Sequence, residues 1–437
     1  MAAGGILVGP TGRDDLVIRG ARVLDPTEGV DGVLDVRIDG GTIAALDEQL
    51  CTNAHRVVEG QGLVLAPAFV DPHVHLRTPG REDEETILSG PAAAAAGGYC
   101  AILAVPNTSP VVDTTEVLRG LRARAGEEAQ VPVGFMAAIS VGQEGTQLTE
   151  MGELADAGAA AFSDDGRPVV TAGLMRRALE YNAITGRRLT LHCEEPSLTR
   201  GGQMHMGPVS AELGLGGWPS LGESLCVSRD LSLAADTRQP LHLMHLSARE
   251  SVELLAGARA AGVAASAEVT PHHLCLTDEA VRSLDPNLKM NPPLRTEEDR
   301  SALIAGLVDG VIEAIATDHA PHSHEEKDVP FEAAPFGVTG LETAFASLYT
   351  SLVRPGILRL ETLLERMSAG PARIFGLERP RIAVGAPANF TLIDEHASWT
   401  VSEQGFRSRS VNSWLLGESL KARVVATVAA GRLVFEA

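Results

Sequence analysis

Across residues 15–67, apolar and polar positions alternate in short bursts (LVIRGARVL, GVLDVRI, TIAAL, RVVEG), with Gly and Asp between them. A period of two broken by turn residues predicts several small antiparallel strands. The C-terminal stretch repeats that texture in RIAVG, ANFTLID and KARVVATVAAGRLVFE. The pattern between 68 and 370 is different: short unbroken apolar runs alternate with amphipathic segments of helix length. That alternation predicts parallel strands joined by crossover helices. Eight runs qualify as strands: APAFVDPHVHL, CAILAVPN, VPVGFMAAIS, AAFSDDG, RLTLHCEE, PLHLMHLS, GVAASAEVTPHH and GVIEAIATDHA. Eight such units predict an α/β fold built on a closed (β/α)8 barrel of the TIM type. The barrel is expected over residues 68–375. Residues 1–67 and 376–437 would join beside it as one small β-sandwich domain.

In such barrels the reactive groups sit where strands end and loops begin, and the chemistry-bearing residues of this chain fall at those places. His73 and His75 close the first run. Side chains two apart in a strand share a face, so both imidazoles can reach one ion. An isolated pair of this kind is weak, being equally a pair of satisfied polar residues. His192, His245 and Asp318 close the fifth, sixth and eighth runs. Their convergence on one barrel mouth points to a metal centre. Imidazole and carboxylate donors without thiolate suit Zn2+, although Fe, Mn or Co accept similar donors. Cys193 follows His192 and should point away as a packing residue. In AAFSDDG, alternation lets only one of Asp164 and Asp165 face inward, and an Asx turn before Gly166 would equally explain the pair. His242, His272, His273 and His319 are expected to support or pack rather than ligate. His55, His205, His324 and His396 lack a strand-end setting and read as surface residues.

Charge narrows the partners. The 437-residue chain carries a formal net charge of −21, which repels nucleic acid and anionic membrane. With 4% aromatic residues, base-stacking platforms are not expected either. Any anionic substrate then needs a local basic pocket. Five cysteines (Cys51, Cys100, Cys193, Cys226, Cys275) without close spacing argue against a disulfide framework and suit a reducing, cytoplasmic setting. The N-terminal stretch lacks the layout of a signal peptide, and no apolar run reaches membrane-spanning length.

The segments VDPHVHLRTPG, VPNTSPVVD, AFSDDG, LHCEE, EVTPHH, KMNPPLR, ATDHAPH and PFGVTGLETAF, in that order, resemble the dihydroorotase pattern of the amidohydrolase superfamily. The likeness is nearest to the long bacterial type that works beside aspartate carbamoyltransferase. It implies one or two Zn2+ ions, with His73, His75 and Asp318 on the more buried ion and His192 and His245 on the second. Many members of the superfamily bridge the metals with a carboxylated lysine. None occurs at that place here, and the resemblance puts Asp165 there instead. It implies that Arg77, Asn107 and His322 hold a substrate carboxylate, that Asn291 bonds a planar amide, and that backbone around Phe336 and Gly337 reads the ring. The reaction implied is reversible closure of N-carbamoyl-L-aspartate to L-dihydroorotate, in pyrimidine synthesis, with Asp318 as acid and base. A homo-oligomer and an aspartate carbamoyltransferase partner are expected.

Thr78 departs from the glutamate usual in that pattern, and a loss of support near Arg77 is expected. The segment from His322 to Gly337 is expected to close over substrate as a lid. An allantoinase or hydantoinase would share the barrel and the histidines, but Arg77 argues for a substrate carboxylate that those rings lack. A non-catalytic scaffold for the carbamoyltransferase would have lost ligands, and here every ligand position is filled.

Overall fold

The computed structural model describes residues 5–50 and 56–437; Cys51 and His55 lie outside the described residues. Parallel strands follow one another through the middle of the chain: Phe69–Val74, Tyr99–Ala104, Val133–Phe135, Leu189–Leu191, Leu241–Leu243, Ala265–Val269 and Ala314–Ile315. The fourth strand is reduced to Phe162, which bridges in parallel to Ala137 on one side and Leu189 on the other. A parallel bridge between Val74 and His319 closes the ring. The seam is reinforced from inside. The buried Asp71 carboxylate accepts from the Thr317 N–H at 3.2 Å and from the His73 N–H at 3.1 Å. His75 N–H donates to the His319 carbonyl at 2.9 Å. Strands one and eight, which carry candidate ligands, are therefore held in register by a buried acid.

The crossover helices form for local reasons. Thr296 caps the helix Glu297–Val308 in a reciprocal capping box with Asp299. The second Asp299 oxygen accepts from the Arg249 N–H at 2.9 Å, tying in the start of the helix Arg249–Ala260. Phe69 shows the packing around the first strand. It meets Tyr99 edge-on at 5.6 Å and stacks on Phe345 at 5.5 Å. Its truncation to alanine should cost about 3–5 kcal/mol.

The terminal segments share one eight-stranded sheet. Val64–Pro67, from the first segment, pairs antiparallel with Phe390–Thr400, from the last. Leu16, Val36, Ile43, Leu65, Phe390 and Val428 are buried together, so both termini contribute to one core. Two pieces of these segments instead serve the barrel. Leu7–Val8 pairs antiparallel with Val133 and Gly134, and Ile6 and Leu7 pack with Phe375 beneath Leu103 and Met136, closing the floor. Residues 407–412 reach across to the opposite, open end. No helix among the described residues is long and apolar enough to cross a membrane.

Candidate active site

His75, Arg77, Asn107, Asp165, His192, His245, Asn291, Asp318, His322, Phe336 and Gly337 line one cavity of about 170 Å3 at the C-terminal mouth of the barrel. His73 lies fully buried beside it, its Nε2 directed at Asp165 and Asp318. Two cavities of about 330 Å3 lie elsewhere, one against the small domain and one at the barrel floor. Size therefore does not pick out the reactive site; the donor set does.

Asp165 stands between two pairs of imidazoles. Its Oδ2 is 3.7 Å from His73 Nε2 and 3.6 Å from His75 Nε2. Its Oδ1 is 3.5 Å from His192 Nδ1 and 3.7 Å from His245 Nε2. Asp318 Oδ1 sits 3.1 Å from His75 Nε2 and 3.4 Å from His73 Nε2. The choice between the two aspartates of SDDG is settled by their partners. Asp164 turns away and accepts the N–H groups of Ile139 and Ser140 at 2.8 and 3.1 Å.

A metal fits these residues. His73 Nε2 is buried and makes no hydrogen bond, although carboxylates of Asp318 and Asp165 face it at 3.4 and 3.7 Å. Donors around a tetrahedral ion with bonds of ~2 Å are spaced by roughly 3.3 Å, close to these separations. The electrostatics agree. Burial pushes the Asp165 and Asp318 carboxylates up, yet the surrounding histidines hold both well below the usual range. Burial disfavours a charged His73, but Asp318 and Asp165 raise it well above the imidazole range. The two carboxylates create a demand for positive charge that a divalent cation meets.

Three of the four imidazoles are also gripped from behind, while His245 Nδ1 is buried without a partner. His73 Nδ1 lies 2.9 Å from Glu268 Oε1, and the other Glu268 oxygen lies 2.9 Å from His242 Nε2. Burial would raise the Glu268 carboxyl, but His242 and His73 hold it at about 2. His192 Nε2 faces Glu194 at 3.0 Å, and His75 Nδ1 faces the Asn107 side-chain oxygen at 3.0 Å. Such contacts fix the tautomer and aim the opposite nitrogen into the site. Glu268 and Glu194 escaped the sequence reading. Glu268 carried a usable signal, as the one ionisable residue inside the apolar run ASAEV. His272 and His273 are buried beside the site. His319 contacts Glu85 at 3.1 Å, and Cys193 points to Asp230 rather than the cavity. His205 corrects its surface reading: it is buried, with Nδ1 3.2 Å from Arg295. His324 and His396 are exposed.

The far end of the cavity is built from loops. Arg77 lies beyond its strand with φ of 55°, so a turn and not strand alternation aims it. Asp318 and His245 also have positive φ, 48° and 30°. Non-glycine residues held there cost of order 1–3 kcal/mol, and such strain gathers at functional sites. Arg77 Nη2 is 3.3 Å from His322 Nε2. The Gly337 N–H donates to the Lys289 carbonyl at 2.8 Å. A side chain at Gly337 (φ 121°) would lie 2.6 Å from Ala320 Cβ, which explains the glycine. Asn107 bonds His75 and lies 3.4 Å from Asp165, which makes it a ligand-orienting group as well as a cavity wall. The segment expected to act as a lid is packed down and anchored by two lysines. Lys327 donates to the Pro286 and Pro335 carbonyls at 3.0 and 2.8 Å. Lys289 donates to those of Phe331 and Glu332 at 2.9 and 3.0 Å. Asn412, from the C-terminal segment, accepts from the His322 N–H at 3.0 Å and donates to the Ala320 and Gly337 carbonyls at 3.1 and 3.2 Å.

The Dihydro-orotase-like family model matches residues 62–251. A dihydroorotase from Geobacter metallireducens is 43% identical over 423 residues, covering 97% of this chain and 100% of its own. One from Pelotomaculum thermopropionicum is 44% identical over 421 residues, covering 96% and 98%. Among solved structures, an L-hydantoinase (dihydropyrimidinase) from Arthrobacter aurescens shares the fold, with a TM-score of 0.87 over 97% of this chain and 96% of its own at 24% identity. Barrel, β domain and carboxylate-linked histidine pairs define a cyclic amide hydrolase of the amidohydrolase class. The chain belongs to the dihydroorotase family.

Proposed function

We propose that the chain is a zinc-dependent dihydroorotase that interconverts N-carbamoyl-L-aspartate and L-dihydroorotate in pyrimidine synthesis. The observation that carries this reading is one cavity with two functional ends: Asp165 between two histidine pairs at one, and Arg77 with His322 at the other. His73, His75, Asp165 and Asp318 would hold one Zn2+, and Asp165, His192 and His245 would hold a second. When bound, zinc supplies Lewis acidity, bringing the pKa of water from ~16 to ~7 and polarising a carbonyl.

The protein's own groups do the rest. Arg77 and His322 bind the substrate carboxylate and so set the ring's orientation. Asn291 Oδ1, buried on the cavity wall without a partner, would accept a ring N–H. In the hydrolytic direction a bond forms from water oxygen to the ring carbonyl carbon, and the ring C–N bond breaks. Asp318 Oδ takes the proton from the attacking water and returns it to the departing nitrogen. Its hold below the carboxylate range keeps it ionised. The same reading places the enzyme in the cytoplasm, as a homo-oligomer associated with aspartate carbamoyltransferase. The unpaired Cys100, Cys193, Cys226 and Cys275 support a reducing compartment.

The test is turnover of dihydroorotate, allantoin and hydantoin side by side, with zinc measured per chain. Preference for dihydroorotate by a zinc-loaded chain supports the proposal. Preference for either neutral ring, or a metal-free chain without turnover, overturns it.

A further inference from the structure

Arg77 and His322 come from loops on opposite sides of the barrel seam, and neither is aimed by regular structure. Both touch the same side chain. Glu84 Oε2 is 3.0 Å from Arg77 Nε, and Glu84 Oε1 is 3.1 Å from His322 Nδ1. The Glu84 side chain is 2% exposed, against 15% for Arg77 and 10% for His322, so this bridge lies beneath the pair. It is the one carboxylate within ion-pair distance of Arg77 among the described residues. Thr78, next to Arg77 in the chain, does not serve: it is buried and its hydroxyl has no partner. Glu84 is itself fixed. Its N–H donates to the Arg81 carbonyl at 2.9 Å, its carbonyl accepts from the Ser410 hydroxyl at 2.7 Å, and Arg81 Nη2 lies 3.0 Å from Oε1.

The bridge also orders the imidazole. His322 Nδ1 faces Glu84, and Nε2 faces the Phe336 carbonyl at 2.8 Å. The same Nε2 lies 3.3 Å from Arg77 Nη2, so the imidazole and the guanidinium are in direct contact. Arg77 and His322 thus stand side by side over Glu84, the one carboxylate among the described residues that touches both, with Glu326 Oε2 a further 3.4 Å from His322 Nδ1.

We propose that Glu84 is a positioning residue: it locks Arg77 and His322 into one carboxylate-recognising pair and thereby sets selectivity for rings that bear an acidic group. The inference rests on the proposed role of Arg77 and His322. It adds that their geometry depends on a residue that never meets substrate.

The experiment compares dihydroorotate with dihydrouracil, the same ring without its carboxylate, in Glu84→Gln, Glu84→Asp and Arg77→Met. Metal content and melting temperature are followed in each. Glu84→Gln should raise KM for dihydroorotate by ~10–100-fold, the scale of a lost charge-assisted contact. Its kcat and its kcat/KM for dihydrouracil should stay within about three-fold, with Glu84→Asp between it and the parent. If Glu84→Gln does not fold, the shorter Glu84→Asp reads the same split. Equal losses on both rings, or no change on either, would overturn the positioning role. If Arg77→Met also fails to separate the two rings, the reading of the carboxylate end is wrong. If Arg77→Met separates them and the Glu84 variants do not, only the role of Glu84 falls.

Discussion

At the candidate metal end of the cavity, the histidines and Asp318 close barrel strands, and three of the histidines are gripped from behind by a side-chain oxygen. At the carboxylate end, Arg77, His322 and Gly337 stand on loops and are held by groups from distant parts of the chain: Glu84, Lys289 and Asn412. A strand end is positioned by the ladder it belongs to, so its support can be local. A loop has no ladder, and its backbone polar groups must find partners elsewhere. The metal end should therefore respond steeply and specifically to loss of single ligands. The carboxylate end should respond in substrate affinity, with the metal retained.

The largest effect should come from Asp165→Ala. Asp165 alone faces both histidine pairs, and its removal should lower kcat/KM by at least ~1,000-fold and strip bound metal. Near-normal metal content by elemental analysis would show that Asp165 does not link the pairs. Asp318→Asn should lower kcat by ~100–10,000-fold, the range for loss of a proton-transfer group, with metal still bound. Normal turnover in that variant would remove Asp318 from the chemistry. Glu268→Gln, which loosens His73 from behind, should weaken metal binding by ~10–100-fold in a chelator competition. An unchanged affinity would mean that the grip behind His73 contributes nothing.

At the other end, Asn412→Ala should raise KM for dihydroorotate about ten-fold without metal loss, because it frees three backbone groups around His322 and Gly337. Metal release would blur the contrast between the two ends. The smallest effect concerns pH. Burial, helped by Lys289, brings Lys327 down to about 7 from 10.5. Between those values the unfolded chain binds more protons than the folded one, so stability rises with pH there and the cost is complete below about 7. Relative to Lys327→Met, the parent should gain about 1–2 kcal/mol from pH 6 to 8.5 in denaturant titrations. A flat difference would mean that the loop is not held by a buried lysine.

The period-two and unbroken apolar runs, read along the chain alone, determined the eight barrel strands, the strand-rich termini and five of the residues that line the candidate metal site. That was possible because burial on both faces of a parallel strand writes itself as a continuous apolar run, and a polar residue ending such a run stands out. The choice of Asp165 over Asp164 needed the structure, since one peptide separates them and only the partners of each side chain tell them apart. The glutamates behind the histidines, the buried His205, the lysine anchors of the expected lid, and the reach of Asn412 and Glu84 were likewise decided by tertiary structure. Each depends on contacts between residues far apart in the chain or on the course of a loop, and no local periodicity encodes either.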